Sequence, residues 1–209
     1  MKSGILKIIG LIGCIVFQSC KIADLRTAKI SSTSLLREEK AIMLLTRAID
    51  IQSYEKLAAA DTYTIIARDD WKGLFAIANP LPKDNELMEM RFRPNSFDGQ
   101  FNYYGNGTVY GVQSFQFYKI KQKDTVYKKK KSVVFTLPAI QYFFELPLRL
   151  KNSPILKYAG TKEFEGSEYD LVFATWDRLE PHKEHDQYLL YFDRNSGMLS
   201  FASYTVRGM

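Results

Sequence analysis

Cysteine is almost absent from this chain. Cys14 and Cys20 are the only two in 209 residues, and both lie in the first twenty. Beyond them no thiol is left for a disulfide, a metal or a nucleophile, so the body of the protein has to be stable through packing alone. Histidine is nearly as scarce, with only His182 and His185. There is no glycine-rich phosphate loop, no serine in a nucleophile setting and no cysteine-based metal motif. These absences remove the commoner catalytic signatures, so no catalytic residue is assigned and no enzyme and no cofactor are expected. Runs of membrane-spanning length are missing too: the longest apolar stretch, Ile5 to Phe17, is too short and is interrupted by glycine.

That short run has a meaning of its own. Lys2 and Lys7 precede or punctuate it, and Gln18-Ser19-Cys20 closes it, the pattern of a cleaved export signal over residues 1–19. Phe17-Gln18-Ser19-Cys20 resembles a bacterial lipobox, which implies acylation of Cys20 and attachment to a membrane. A non-lipidated secretory signal is the alternative. Loss of Lys2 and Lys7 leaves 27 of the 29 basic side chains against 23 acidic ones, so a net charge of +6 becomes +4. For an exported protein this mild excess argues against nucleic acid as a partner and suits an anionic membrane surface.

Residues 20–33 are polar and read as a tether, and residues 34–209 as a single domain. Leu35, Ile42, Leu45 and Ile49 recur at helical spacing, which predicts an amphipathic helix capped by Ser34 and running to about Asp50. Tyr54 to Ala60 adds a helical turn. Thr62 to Arg68 reads as a first strand, and Met88, Met90 and Phe92 alternate with Glu89, Arg91 and Arg93 as a strand with one wet face. Asn79-Pro80-Leu81-Pro82 marks a loop. Phe97 to Tyr104 and Thr108 to Ile120 flank Gly105-Asn106-Gly107 and predict a long hairpin. The run Lys128 to Lys131 reads as an edge strand or hairpin end, where lysines block pairing with another sheet.

Leu137 to Leu150 is strongly apolar and is broken by Pro138 and Pro147, leaving room for a helix of about two turns. Such a helix is either buried all round or borders a hydrophobic cavity. From Ile155 to Arg207 the pattern is strand, turn, strand, loop, strand, turn, strand, with turns at Glu165-Gly166 and Arg194-Asn195-Ser196-Gly197. That is an antiparallel meander. The fold class is therefore α+β, mainly antiparallel β.

The assembled pattern resembles the lipoprotein-carrier superfamily, LolA-like in fold. Phe97-Asp98-Gly99-Gln100, Tyr110-Gly111-Val112-Gln113-Ser114, Gln141-Tyr142-Phe143-Phe144-Glu145-Leu146 and Pro181-His182-Lys183 through Asp186-Gln187-Tyr188 resemble a group of uncharacterised Gram-negative lipoproteins. The resemblance covers about Ile49 to Arg207. It implies a strongly curved, open half-barrel sheet with an N-terminal helix and a short apolar helix in its mouth, and binding of acyl chains or other apolar ligands on the concave side.

The expectation is a non-enzymatic lipoprotein of the cell envelope, anchored through Cys20 to the outer membrane and facing the periplasm, that binds a lipid or another hydrophobic molecule. Phe117, Phe143, Phe144, Phe173 and Trp176 are the expected pocket lining. Two alternatives stay open. One is an envelope assembly or interaction protein. The other is a metal-binding module in Glu180 to Asp186, where His182 and His185 stand three apart among carboxylates; a solvated charged loop has the same composition, so no metal is assigned.

Overall fold

The structure is a computed structural model and describes residues 22–30, 37–70, 72, 81, 85–105, 107–121, 124–127 and 131–207. The leader, Cys20, the Ser34 cap, Leu35, most of the 79–82 loop and Lys128 to Lys130 lie outside the described residues. The chain divides into two compact units, one of residues 1–44 with 153–209 and one of residues 45–152. Helix α1 (Glu39–Ile51) contains the division; it starts later than the Ser34 cap implied, because Arg37 and Glu38 bridge to Leu156, and its buried stripe is Ala41, Leu44, Leu45, Ala48 and Ile49, with Ile42 only half-buried. A short helix α2 (Tyr54–Ala59) follows.

The second unit is a six-stranded antiparallel meander in chain order, β1 (Tyr63–Arg68), β2 (Leu87–Phe92), β3 (Gly99–Tyr103), β4 (Thr108–Gln113), β5 (Gln116–Lys121) and β6 (Asp124–Tyr127). The alternation read in β2 holds: Met88, Met90 and Phe92 are buried, with Phe101, Tyr103, Val112 and Phe117 on the same face. Val133 and Leu137 of helix α3 (Lys131–Phe144) complete that core. The edge position expected around the lysine run is taken by β6, the last strand of the sheet and exposed at every residue.

Two expectations about this unit change. Thr108 to Ile120 is two strands, because Ser114 and Phe115 form a two-residue turn with φ of 48° and 58°. Left-handed residues at both turn positions match the twist of the strands, but the sequence offers no glycine to announce them. The apolar helix is also longer than the prolines suggested. Helix α3 spans fourteen residues and runs through Pro138, then Pro147 sits in the first turn of a separate helix α4 (Leu146–Leu150). Proline at a helix start costs nothing, since that N–H has no partner anyway. Pro138 does remove one backbone bond, and burial of Val133, Leu137 and Gln141 along one side holds the helix through it.

The glycines of the family-like motifs have a packing reason. Gly99 pairs with Phe92 and Gly111 with Tyr118 across their strands. A Cβ on Gly111 would sit 2.1 Å from the Tyr118 ring, whose hydroxyl donates to Gln100 Oε1 at 3.1 Å. Gly111→Ala should therefore swing Tyr118 off the sheet and cost about 1–3 kcal/mol, read by urea unfolding. An unchanged midpoint would show that the ring has another seat.

The first unit is the predicted four-stranded meander, β7 (Ile155–Phe164), β8 (Ser167–Thr175), β9 (Tyr188–Asp193) and β10 (Leu199–Tyr204). Glu165 and Gly166 turn the first hairpin with φ of 51° and 76°. In the second, Asp193 Oδ1 accepts from the Asn195 and Ser196 amides while the Gly197 N–H closes on the Asp193 carbonyl at 2.7 Å. Strand β8 from Leu171 onward and β9 from Tyr188 to Phe192 are buried on both faces, as their apolar runs imply.

The single curved sheet is thus replaced by two antiparallel sheets, neither closed into a barrel. Between β6 and β7 the chain forms α3 and α4, and among the described residues the two meanders are separate sheets. The stretch read as a tether is another departure. Residues 22–30 are docked on the four-stranded sheet: Leu25 and Ile30 pack against the cluster of Ala159, Leu171, Phe173 and Leu189. The Leu25 N–H donates to Gln187 Oε1 at 2.9 Å, and the Thr27 hydroxyl donates to the Ala159 carbonyl at 2.7 Å. Leu25 and Ile30, with these two hydrogen bonds, hold the segment there.

Candidate functional site

The five aromatics expected to line a pocket fall in both units. Phe117 is buried in the core of the six-stranded sheet, whereas Phe143 and Phe144, at the end of helix α3, are 37% and 38% exposed. Phe135, one helix face further back, is 58% exposed. In the other unit Phe173 is fully buried beneath Leu25, Ile30 and Leu179, and Trp176 is half-buried with its ring 6.0 Å from Tyr188. Each unit also has an open apolar feature of its own. At the hairpin end of the four-stranded sheet Phe164 and Phe201 meet edge to face at 5.3 Å, with Lys162 Nζ 5.9 Å from the Phe164 ring centre.

Helix α3 is fastened by a polar knot that the sequence reading did not single out. Glu145 is fully buried, and its carboxylate accepts from the Tyr63 hydroxyl at 2.9 Å, the Asn95 N–H at 3.2 Å and Gln141 Nε2 at 2.8 Å. Arg149 lies 2.7 Å from the other carboxylate oxygen and also donates to the Ser96 carbonyl. Its guanidinium stands 4.6 Å from the centre of the Phe97 ring. Burial and the neighbouring Glu145 charge push the Tyr63 phenol far above its ordinary range, so it stays a hydrogen-bond donor. The available signal was Gln141, Glu145 and Arg149, three polar residues at i, i+4 and i+8 in an apolar run. Close by in the same unit is an open cleft of about 430 Å³, made polar by Asp61, Thr62 and Arg93.

The β8–β9 loop brings the two histidines together. Their rings stack with centres 5.5 Å apart and 23° between planes. One ligand atom from each of His182, Glu184 and His185 lies within 4.8 Å of the others. The loop is held from both sides. Thr175 Oγ1 donates to the Asp186 carbonyl, Gln187 Nε2 to the Leu179 carbonyl, and Arg26 reaches Glu180 at 3.4 Å. The Arg178 hydrogen bond, aided by the Arg178 charge and by both imidazoles, draws the Asp177 carboxyl below its ordinary value. Burial pushes the Asp186 carboxyl up, and the Thr205 hydroxyl offsets part of that.

No family model matches the chain, and no curated protein matches it. Solved structures similar to the chain include two mycobacterial proteins. The lipoprotein LppX of Mycobacterium tuberculosis is 14% identical over 79% of this chain and 87% of its own, with a TM-score of 0.30. LprF from Mycobacterium bovis is 12% identical over 81% of this chain and 88% of its own, with a TM-score of 0.37. Scores of this size mark a distant likeness of backbone. Among the described residues no helix is long and apolar enough to cross a membrane.

Proposed function

We propose that this chain is a lipoprotein of the cell envelope, held to the outer membrane by acyl groups on Cys20 and facing the periplasm, and that it binds a lipid or another hydrophobic molecule without catalysing a reaction. The observation that carries the reading is the exposure of three phenylalanines, Phe135, Phe143 and Phe144, on helix α3, which is anchored in the sheet through Val133 and Leu137. Large apolar rings cost free energy in water, and a group of them on one element marks a place for an apolar partner. Phe143 and Phe144 meet such a ligand directly. Phe117 reaches it only when helix α3 gives way; in the other unit Phe173 lies beneath Leu25 and Ile30, and Trp176 stands beside Tyr188.

The test is mass spectrometry, native and then denaturing, of a Cys20→Ser variant exported with its leader and purified without detergent. A stoichiometric adduct that extracts into organic solvent supports the reading. A clean apo mass removes it and favours the envelope interaction role, for which the exposed Phe164–Phe201 pair is the surface.

The anchor predicts an orientation. Ala23 stands three residues after Cys20, a span of at most about 11 Å. The Ala23 carbonyl accepts from the Arg207 side chain, and Leu25 is tied to Gln187, so this part of the chain lies at the end of the sheet that carries the β8–β9 loop. Trp176 begins that loop. In a Trp71→Phe background, bromolipids in vesicles should quench Trp176 fluorescence of the acylated protein well beyond that of the Cys20→Ser variant. Equal quenching would place the anchor elsewhere.

A further inference from the structure

We propose that His182, Glu184 and His185 form a binding site for a divalent transition ion of the zinc class on the β8–β9 loop. Both histidines of the chain are here, and their rings meet each other instead of spreading into solvent. Imidazole nitrogen with carboxylate oxygen is the donor set that zinc accepts, and three protein ligands leave a coordination position for water or an exogenous ligand. A tetrahedral ion with bonds of about 2.0–2.1 Å holds its ligand atoms roughly 3.3 Å apart. The three donors already lie within 4.8 Å of one another, so closing on an ion takes side-chain rotation and not a new path for the loop.

The surroundings favour this over a solvated loop. Bonds from Thr175 to the Asp186 carbonyl and from Gln187 to the Leu179 carbonyl hold the backbone on either side of the three ligands, so less order has to be created on binding.

One contact opposes it. The Glu184 N–H donates to His182 Nδ1 at 3.2 Å. Ligation through Nδ1 takes that lone pair, and ligation through Nε2 requires a proton on Nδ1, so either mode breaks the bond. Glu184 is exposed, and its amide then turns to water. The site therefore binds more weakly than a closed structural zinc centre.

Calorimetric titration of the full chain in detergent, stripped of metal and given zinc chloride, tests the site. One equivalent should bind. The His182→Ala/His185→Ala variant should weaken it roughly a hundredfold, Glu184→Gln roughly tenfold, and Lys183→Ala should leave it unchanged. Cobalt in place of zinc should give the visible absorption of a four-coordinate centre, absent from the double variant. No saturable binding in the parent, or equal binding in the double variant, overturns the proposal. It does not depend on Cys20 or on a hydrophobic ligand, since Cys20→Ser should bind zinc like the parent.

Discussion

Replacing Glu145 by alanine should cost about 3–5 kcal/mol of stability in urea unfolding, the largest loss of any single polar substitution proposed for this protein. The carboxylate takes three hydrogen bonds and an ion pair while fully buried. Its removal leaves the Tyr63 hydroxyl and the Asn95 amide without their acceptor, and it leaves a largely buried Arg149 guanidinium without its countercharge. Glu145→Gln keeps the acceptor oxygen and the volume, so it should recover part of the loss. Glu145→Ala combined with Arg149→Met removes both charges and should be less damaging than the sum of the single changes, as coupled partners require. A loss below about 1 kcal/mol for Glu145→Ala would mean that the knot does not hold helix α3 to β1 and to the loop after β2.

Phe173→Ala should be nearly as costly, about 3–5 kcal/mol, because the side chain is fully enclosed between β8, β9 and the docked segment 22–30. Phe143→Ala with Phe144→Ala should behave in the opposite way. Both rings are more than a third exposed, so the pair should change stability by only about 1 kcal/mol while reducing the extractable adduct seen by mass spectrometry. The contrast separates aromatics that build the fold from aromatics available to a ligand. Should the Phe143 and Phe144 changes leave the adduct at full stoichiometry, the ligand would have to lie elsewhere than on helix α3.

The five aromatics stand out in the sequence because they are large and apolar. Those criteria do not distinguish Phe173 from Phe143. Burial does, and burial depends on what covers each residue: for Phe173, Leu25 and Ile30 from about 145 positions upstream in a stretch that reads as a polar tether. The histidine loop shows the same limit from the other side. Spacing placed two imidazoles in one loop, but only the path from Trp176 to Tyr188 made their rings stack and turned Glu184 toward them.

What the sequence determined by itself is local. Period-two alternation defined β2, the turns at Glu165-Gly166 and Asp193 to Gly197 defined the last meander, and the 3.6-residue stripe defined helix α1, because each signal is written in neighbouring residues. The tertiary structure decided three other things. It carried helix α3 through Pro138, since burial of one side outweighs a lost backbone bond. It divided the strands between two sheets, since strand pairing depends on what the intervening chain does. And it made Glu145 the centre of a knot, since a buried carboxylate is stable only where Tyr63, Asn95, Gln141 and Arg149 converge, and their convergence is a property of the fold.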